Sequence, residues 1–121
     1  MLKRYIVEFG TGVDLHGRDV TKAAKKAVKD AISHCCLCGI EEILGIKDFN
    51  EGIHLKVKIG SPTPEKIDKD EVLSVIPFGK TEIEVLEGGL SFEGLYVPSL
   101  GEGNTIVMVN AAITVYVEAD I

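Results

Sequence analysis

Asp14 and His16 stand two residues apart in the segment F-G-T-G-V-D-L-H-G-R-D-V-T-K-A-A, Phe9 to Ala24. In extended backbone that spacing puts both side chains on one side. A carboxylate beside an imidazole can fix its tautomer, and a histidine of ordinary pKa, about 6.5, exchanges protons near neutrality. Asp14 and His16 are therefore the candidate catalytic pair, suited to acid–base work or ligand hydrogen bonding. Gly10, Gly12 and Gly17 can take positive φ or admit a close backbone or ligand. Together with Asp19, Thr21 and Lys22 they form the candidate ligand-binding group. Asp19 is the expected N-cap of the following helix, with Thr21 as the alternative. A helix N-terminus entered through a glycine-rich turn favours an anion, so a small anionic metabolite is the candidate ligand. The pattern matches neither G-x-G-x-x-G nor a P-loop, and no cofactor follows from it. The competing reading is a tight turn whose polar side chains bond their own backbone.

The elements that must position this loop alternate in type. Residues 3–9 predict a strand, with Tyr5, Val7 and Phe9 on one face and Arg4, Ile6 and Glu8 on the other. Residues 20–37 predict a helix. Its stripe of Val20, Ala24, Ala27, Val28, Ala31, Ile32 and Cys35 is small enough to sit close to a sheet, and Lys22, Lys25, Lys26 and Lys29 form the solvated face. His34, Cys35, Cys36 and Cys38 close it, with Gly39 beyond. The C-C-x-C spacing is not that of a zinc site, so these cysteines are expected to be buried as small hydrophobes.

Residues 40–52 form a connection, and 53–60 a clean alternating strand with Lys56 and Lys58 on one face. Pro62 and Pro64 break it. A shorter helix is expected over 64–75, capped by Thr63, with Asp68 or Lys69 as the alternative start of a separate turn. Residues 81–87 predict a strand. Gly88-Gly89 is a hairpin signal, so 90–96 should pair back on it. After a loop from Leu95 to Gly103 comes a strand over 105–118, apolar on both faces and hence central. Asn110 is its polar exception and a further candidate ligand-binding residue, since a buried Asn needs partners.

The run from Gly10 to Ala24, G-x-G-V-D-x-H-G-x-D-x-T-K-A-A, resembles the opening of a family of small conserved hypothetical proteins of bacteria and plants. The likeness extends over the chain, through Pro77-Phe78-Gly79 and Glu87-Gly88-Gly89. It implies no activity, because the family is uncharacterised. The cysteine-rich end of the first helix departs from its pattern.

Composition sets the outer bounds. A chain of 121 residues is expected to be a single α+β domain with a real core. A net charge of −6 argues against nucleic acid or an anionic membrane surface as partner. No apolar run reaches a membrane span, and Met1-Leu2-Lys3-Arg4 leads into a strand rather than a signal peptide. Three cysteines do not make a disulfide framework, which predicts a reducing, cytoplasmic location.

The order β-α-β-α-β-β predicts a two-layer sandwich with a mixed sheet. It is similar to the chorismate-mutase-like fold, with a ferredoxin-like fold as the alternative. Helices on one side would leave an open sheet face carrying Ile6 and part of the last strand, which a second copy is expected to cover. Two functions compete. One is a small-molecule-binding protein or small enzyme with its site at the 10–22 loop near a subunit interface. The other is a non-catalytic homo-oligomeric interaction module. A metal site from Asp14, His16 and His54 is a weaker third.

Overall fold

The computed structural model describes residues 1–100 and 103–120. Its elements are β1 (Leu2–Asp14), α1 (Val20–Ser33), α2 (Cys38–Glu42), α3 (Phe49–Gly52), β2 (Ile53–Ser61), α4 (Lys69–Leu73), β3 (Lys80–Glu87), β4 (Leu90–Glu93) and β5 (Thr105–Glu118). The fold is α+β with a five-stranded mixed sheet, its five strands as expected and two short helices more than the order expected. The sheet runs β1-β5-β2-β3, with β4 also on β5. β5 is antiparallel to β1, β2 and β4, whereas β2 and β3 are parallel. The last strand is thus central, as its two apolar faces require. Only β2 lies between α1 and α4, which rules out the ferredoxin-like order.

Several boundaries and one connection differ from the sequence reading. The expected 64–75 helix is a 3-10 turn at Pro64–Lys66 followed by α4, which Asp68 caps by accepting from Glu71 N at 3.1 Å. The Gly88-Gly89 step does not make a hairpin. Gly88 N donates to Ser61 O at 3.0 Å, Gly89 takes φ +67°, and the chain crosses from β3 to pair β4 with β5. The first helix stops at Ser33 rather than 37, and Cys35, Cys36 and Cys38 are exposed thiols rather than core filler. Gly101 and Glu102, within the expected 95–103 loop, lie outside the described residues. Among the described residues no helix is long and apolar enough to cross a membrane.

The core lies between the sheet and α1 with α4. Ile53, Leu55, Val57 and Ile59 of β2 alternate into it, as do Val107, Val109, Ala111, Ile113, Val115 and Val117 of β5. β1 contributes differently. Its register slips at Tyr5, between the Arg4–Tyr116 and Ile6–Val115 pairs. A one-residue bulge reverses which side chains face the core. Ile6, Glu8, Gly10, Gly12 and Asp14 therefore turn toward α1, and Val7, Phe9, Thr11 and Val13 toward the open face. This overturns the expectation that Ile6 lies on the open side.

Gly10 and Gly12 sit directly beneath α1. A Cβ on Gly10 would come within 2.5 Å of Ala31 N, and one on Gly12 within 2.6 Å of Ala27 N. Ala23, Ala27 and Ala31 complete the contact, all fully buried. Asp30, on the same helix, accepts from Thr11 N at 2.9 Å and lies 3.0 Å from His34 Nε2. Those two contacts, the backbone one first, hold its carboxyl below the ordinary range. Since the obstructing atoms are helix backbone, Gly12→Ala is expected to destabilise the fold by at least about 1–3 kcal/mol. A urea melt of that variant within about 0.5 kcal/mol of the parent would contradict this packing.

Candidate functional site

The strand β1 continues through Asp14, so the expected 10–22 loop contracts to residues 15–19. Gly10 and Gly12 are consequently packing residues under α1 rather than ligand contacts. In the turn the left-handed position belongs to Arg18, with φ 52°, and Gly17 is not the residue that needs it.

Asp14 organises this turn. It is 7% exposed, and its Oδ2 accepts from Gly17 N and Asp19 N, each at 3.0 Å. Asp19 then caps α1 by accepting from Lys22 N at 3.0 Å, as expected of it. The chain's own carboxylates thus occupy the electropositive start of the helix, where an external anion was expected. Thr21 is spent on structure as well. Its hydroxyl donates to Lys66 O at 3.3 Å and accepts from Asp68 N at 2.9 Å, tying α1 to the approach of α4.

What remains for chemistry is narrower than the sequence reading. His16 is half-buried, and its Nδ1 is buried with no hydrogen-bond partner among the described residues. Its carbonyl accepts from Gly103 N at 3.3 Å. Lys22 Nζ lies 3.9 Å from Asp14 Oδ1, the oxygen that the turn leaves unused. Lys26 Nζ donates to Val13 O at 3.1 Å. With Asp14, Asp19 and Leu100, these side chains line an open cleft of about 380 Å³. It can hold a small polar molecule by an imidazole nitrogen and an ammonium, and an imidazole so placed can move a proton.

Asn110 does not join them. It is exposed on the other face of the sheet, opposite Thr11 and Gly60, so the expected demand for buried partners does not arise. His54 is remote too. It faces Tyr116 across β5 whereas Asp14 faces Val107, a separation of about 30 Å at the rise of a strand. Among the described residues no three His, Cys, Asp or Glu side chains group as metal ligands.

One residue escaped the sequence reading. Glu8 is 6% exposed on the helix-facing side of β1, beside the end of α1. Burial pushes its carboxyl above the ordinary range, partly opposed by the Cys35 thiol and by His34. Desolvation and the Glu8 charge in turn push the Cys35 thiol up. The signal available in the sequence was the shared period of Glu8, Gly10, Gly12 and Asp14, which places Glu8 on the face the helix covers.

The family model described as "Conserved hypothetical protein (Lin0512_fam)" matches residues 4–115, and the chain belongs to that family. It is also similar to a crystal structure of an FtsZ-like protein of unknown function from Nostoc punctiforme. The two are 37% identical, the match covers 97% of each chain, and the TM-score is 0.88. No curated protein matches the sequence.

Two outcomes follow from the geometry. Asp14→Ala should destabilise the protein by about 1–3 kcal/mol, because two amides lose a buried acceptor, whereas His16→Ala should leave the melting temperature nearly unchanged. Equal losses for both, read by calorimetry, would make His16 a structural residue. Glu8 carries a pH signature. A carboxyl whose folded pKa is raised destabilises the fold increasingly as pH climbs from the unfolded toward the folded value, and the penalty is absent below both. Glu8→Gln should therefore gain stability over the parent at neutral pH and none at about pH 4. A gain independent of pH would show that ionisation is not its source.

Proposed function

For a chain of this family, we propose a small-molecule-binding protein that works as a homo-oligomer, with its site at the Asp14–Lys22 turn beside the contact between copies. The observation that carries the reading is the buried Nδ1 of His16, unpartnered among the described residues, on a side chain that lines the same cleft as Lys22. A buried polar atom without a partner costs free energy that a bound ligand can relieve. A small anion, such as a carboxylate or phosphate ester, would pair with the Lys22 ammonium and accept from, or donate to, the imidazole. Asp14 positions this pair through the turn and through Lys22. Proton transfer by His16 would make the same site an enzyme's. A reducing, cytoplasmic compartment belongs to this reading, in keeping with the three exposed free thiols.

Support for assembly comes from the open face. Val7 is 40% and Phe9 72% exposed on β1, and Leu90 56% and Phe92 67% on β4. Leu90 and Phe92 stand opposite Met108 and Ile106, and Val13 meets Met108 from β1, so one apolar area spans three strands, with Phe9 and Val7 farther along β1 beyond the Thr11–Asn110 pair. Apolar area of this kind marks a contact surface. The charges beside it are self-complementary. Lys56 and Lys58 stand opposite Glu82 and Glu84, with Lys56 Nζ 3.7 Å from Glu82 Oε1, so a two-fold related copy can set a glutamate row over a lysine row. Leu95, Tyr96 and Leu100 are exposed as well, and Leu100 reaches the cleft wall.

The second reading, an interaction module without a ligand, is favoured by one observation: Asp14 is largely spent on backbone amides. A thermal-shift series with small carboxylates and phosphate esters separates the two. On the first reading at least one stabilises the protein, and His16→Ala or Lys22→Ala weakens its binding by about tenfold, the worth of one charge-assisted hydrogen bond. If none binds, or binding survives both changes, the module stands. Light scattering at micromolar concentration should show a species larger than the 13.1 kDa chain, shifted toward monomer by Phe9→Lys with Phe92→Lys. A parent protein that is wholly monomeric would remove the oligomer from the proposal.

A further inference from the structure

A second cavity lies at the opposite end of α1, about 390 Å³ in volume, within the range of about 300–1,000 Å³ typical of small-molecule sites. Ile32, Leu37, Phe49, Leu55, Ile76 and Phe78 make its walls apolar. The Phe49 and Phe78 rings pack at 5.2 Å between centroids, tilted by 57°. Glu8 lines it from β1, more than nine-tenths buried, and Glu41 and Glu42 line it from α2. None of its lining residues is a lysine or arginine. Among the described residues no cationic side chain pairs with Glu8 within 4.0 Å.

We infer that this cavity binds a small amine with an apolar body, its ammonium paired with the Glu8 carboxylate and its hydrocarbon or aromatic part among Phe49, Leu55, Ile76 and Phe78. The Cys35 thiol and His34 offset only part of the cost of burying Glu8, and a ligand cation set against the carboxylate would offset more of it. The glutamates Glu41 and Glu42 add negative potential, which draws cations and repels anions. The apolar walls distinguish such a ligand from an inorganic cation, which finds among the described residues one buried carboxylate here and no grouped set of ligands. Aromatic faces accept an ammonium as well as a hydrocarbon, so Phe49 and Phe78 suit either end of the molecule. The site is independent of the His16 cleft, which lies at the start of α1.

Calorimetric titration with three probes of one shape tests this: 2-phenylethylamine, 2-phenylethanol and phenylacetate. The parent protein should bind the amine at least about tenfold more tightly than the alcohol, the effect of one charge-assisted pair, and the carboxylate more weakly than either. The preference should grow as pH rises above the ordinary carboxylate range, as Glu8 ionises beside the Cys35 thiol and His34 while the amine stays charged. Glu8→Gln should abolish the preference and leave the alcohol's binding in place. Equal binding of amine and alcohol by the parent protein overturns the inference, as does the absence of saturable binding by any probe. That comparison needs no variant, so a folding defect in Glu8→Gln would not blunt it. A preference for the amine that survives in a folded Glu8→Gln protein overturns the role of Glu8, and with it the inference.

Discussion

The near-contact of α1 with β1 is the constraint on which the rest depends. Gly10 and Gly12 leave no side chain between strand and helix, and Ala23, Ala27 and Ala31 settle onto the strand backbone. Four residues of one strand face take part: Glu8, Gly10, Gly12 and Asp14. From Glu8 to Asp14 the strand advances about 20 Å, and the 14 residues of α1 span about 21 Å. The glycines thus lie under the body of the helix, and the two acids fall near its two ends.

Those ends treat an acid differently. At the start of α1, Asp14 meets unpaired amides, accepts from Gly17 N and Asp19 N, and closes the connection in five residues. Its burial is compensated, which is why the turn can be short. At the far end a helix offers carbonyls rather than amides. Glu8 gains no such donors, and its carboxyl is pushed toward the neutral form. The same type of group therefore becomes a structural joint at one end and an only partly compensated polar centre beside apolar walls at the other.

The bulge at Tyr5 decides the other side of the sheet. It turns Val7 and Phe9 outward, onto the same face as Leu90, Phe92, Met108 and Ile106, which no helix covers among the described residues. Beyond this apolar area the face becomes ionic, with Lys56 over the Tyr116 ring at 5.0 Å and beside Glu82. The face that reads as the natural core of β1, being more apolar, is left in solvent. The face of glycines and acids is the buried one, because only small residues admit the helix so closely.

Much of this was legible in the residues themselves. The alternation in 53–60, the two-sided apolar run in 105–118 and the small-residue stripe of the first helix determined an α+β sheet with a central last strand, through the periods at which side chains face a core. Asp19 as cap and the family motif from Gly10 to Ala24 were equally plain, since both are local in sequence. The tertiary structure alone decided what crosses between elements. A bulge moved Ile6 and Glu8 to the helix side, because one inserted residue reverses a period of two. Gly88-Gly89 read as a hairpin but passes β4 to β5, as Gly88 N donates to Ser61 O at the end of β2 and the chain crosses beyond it. Asp14 and His16 read as a pair, and backbone amides took Asp14 while His16 kept an unpartnered nitrogen among the described residues. Sequence spacing states which side chains can meet; which backbone donors and which neighbouring strand reach them first is settled only when the chain is packed.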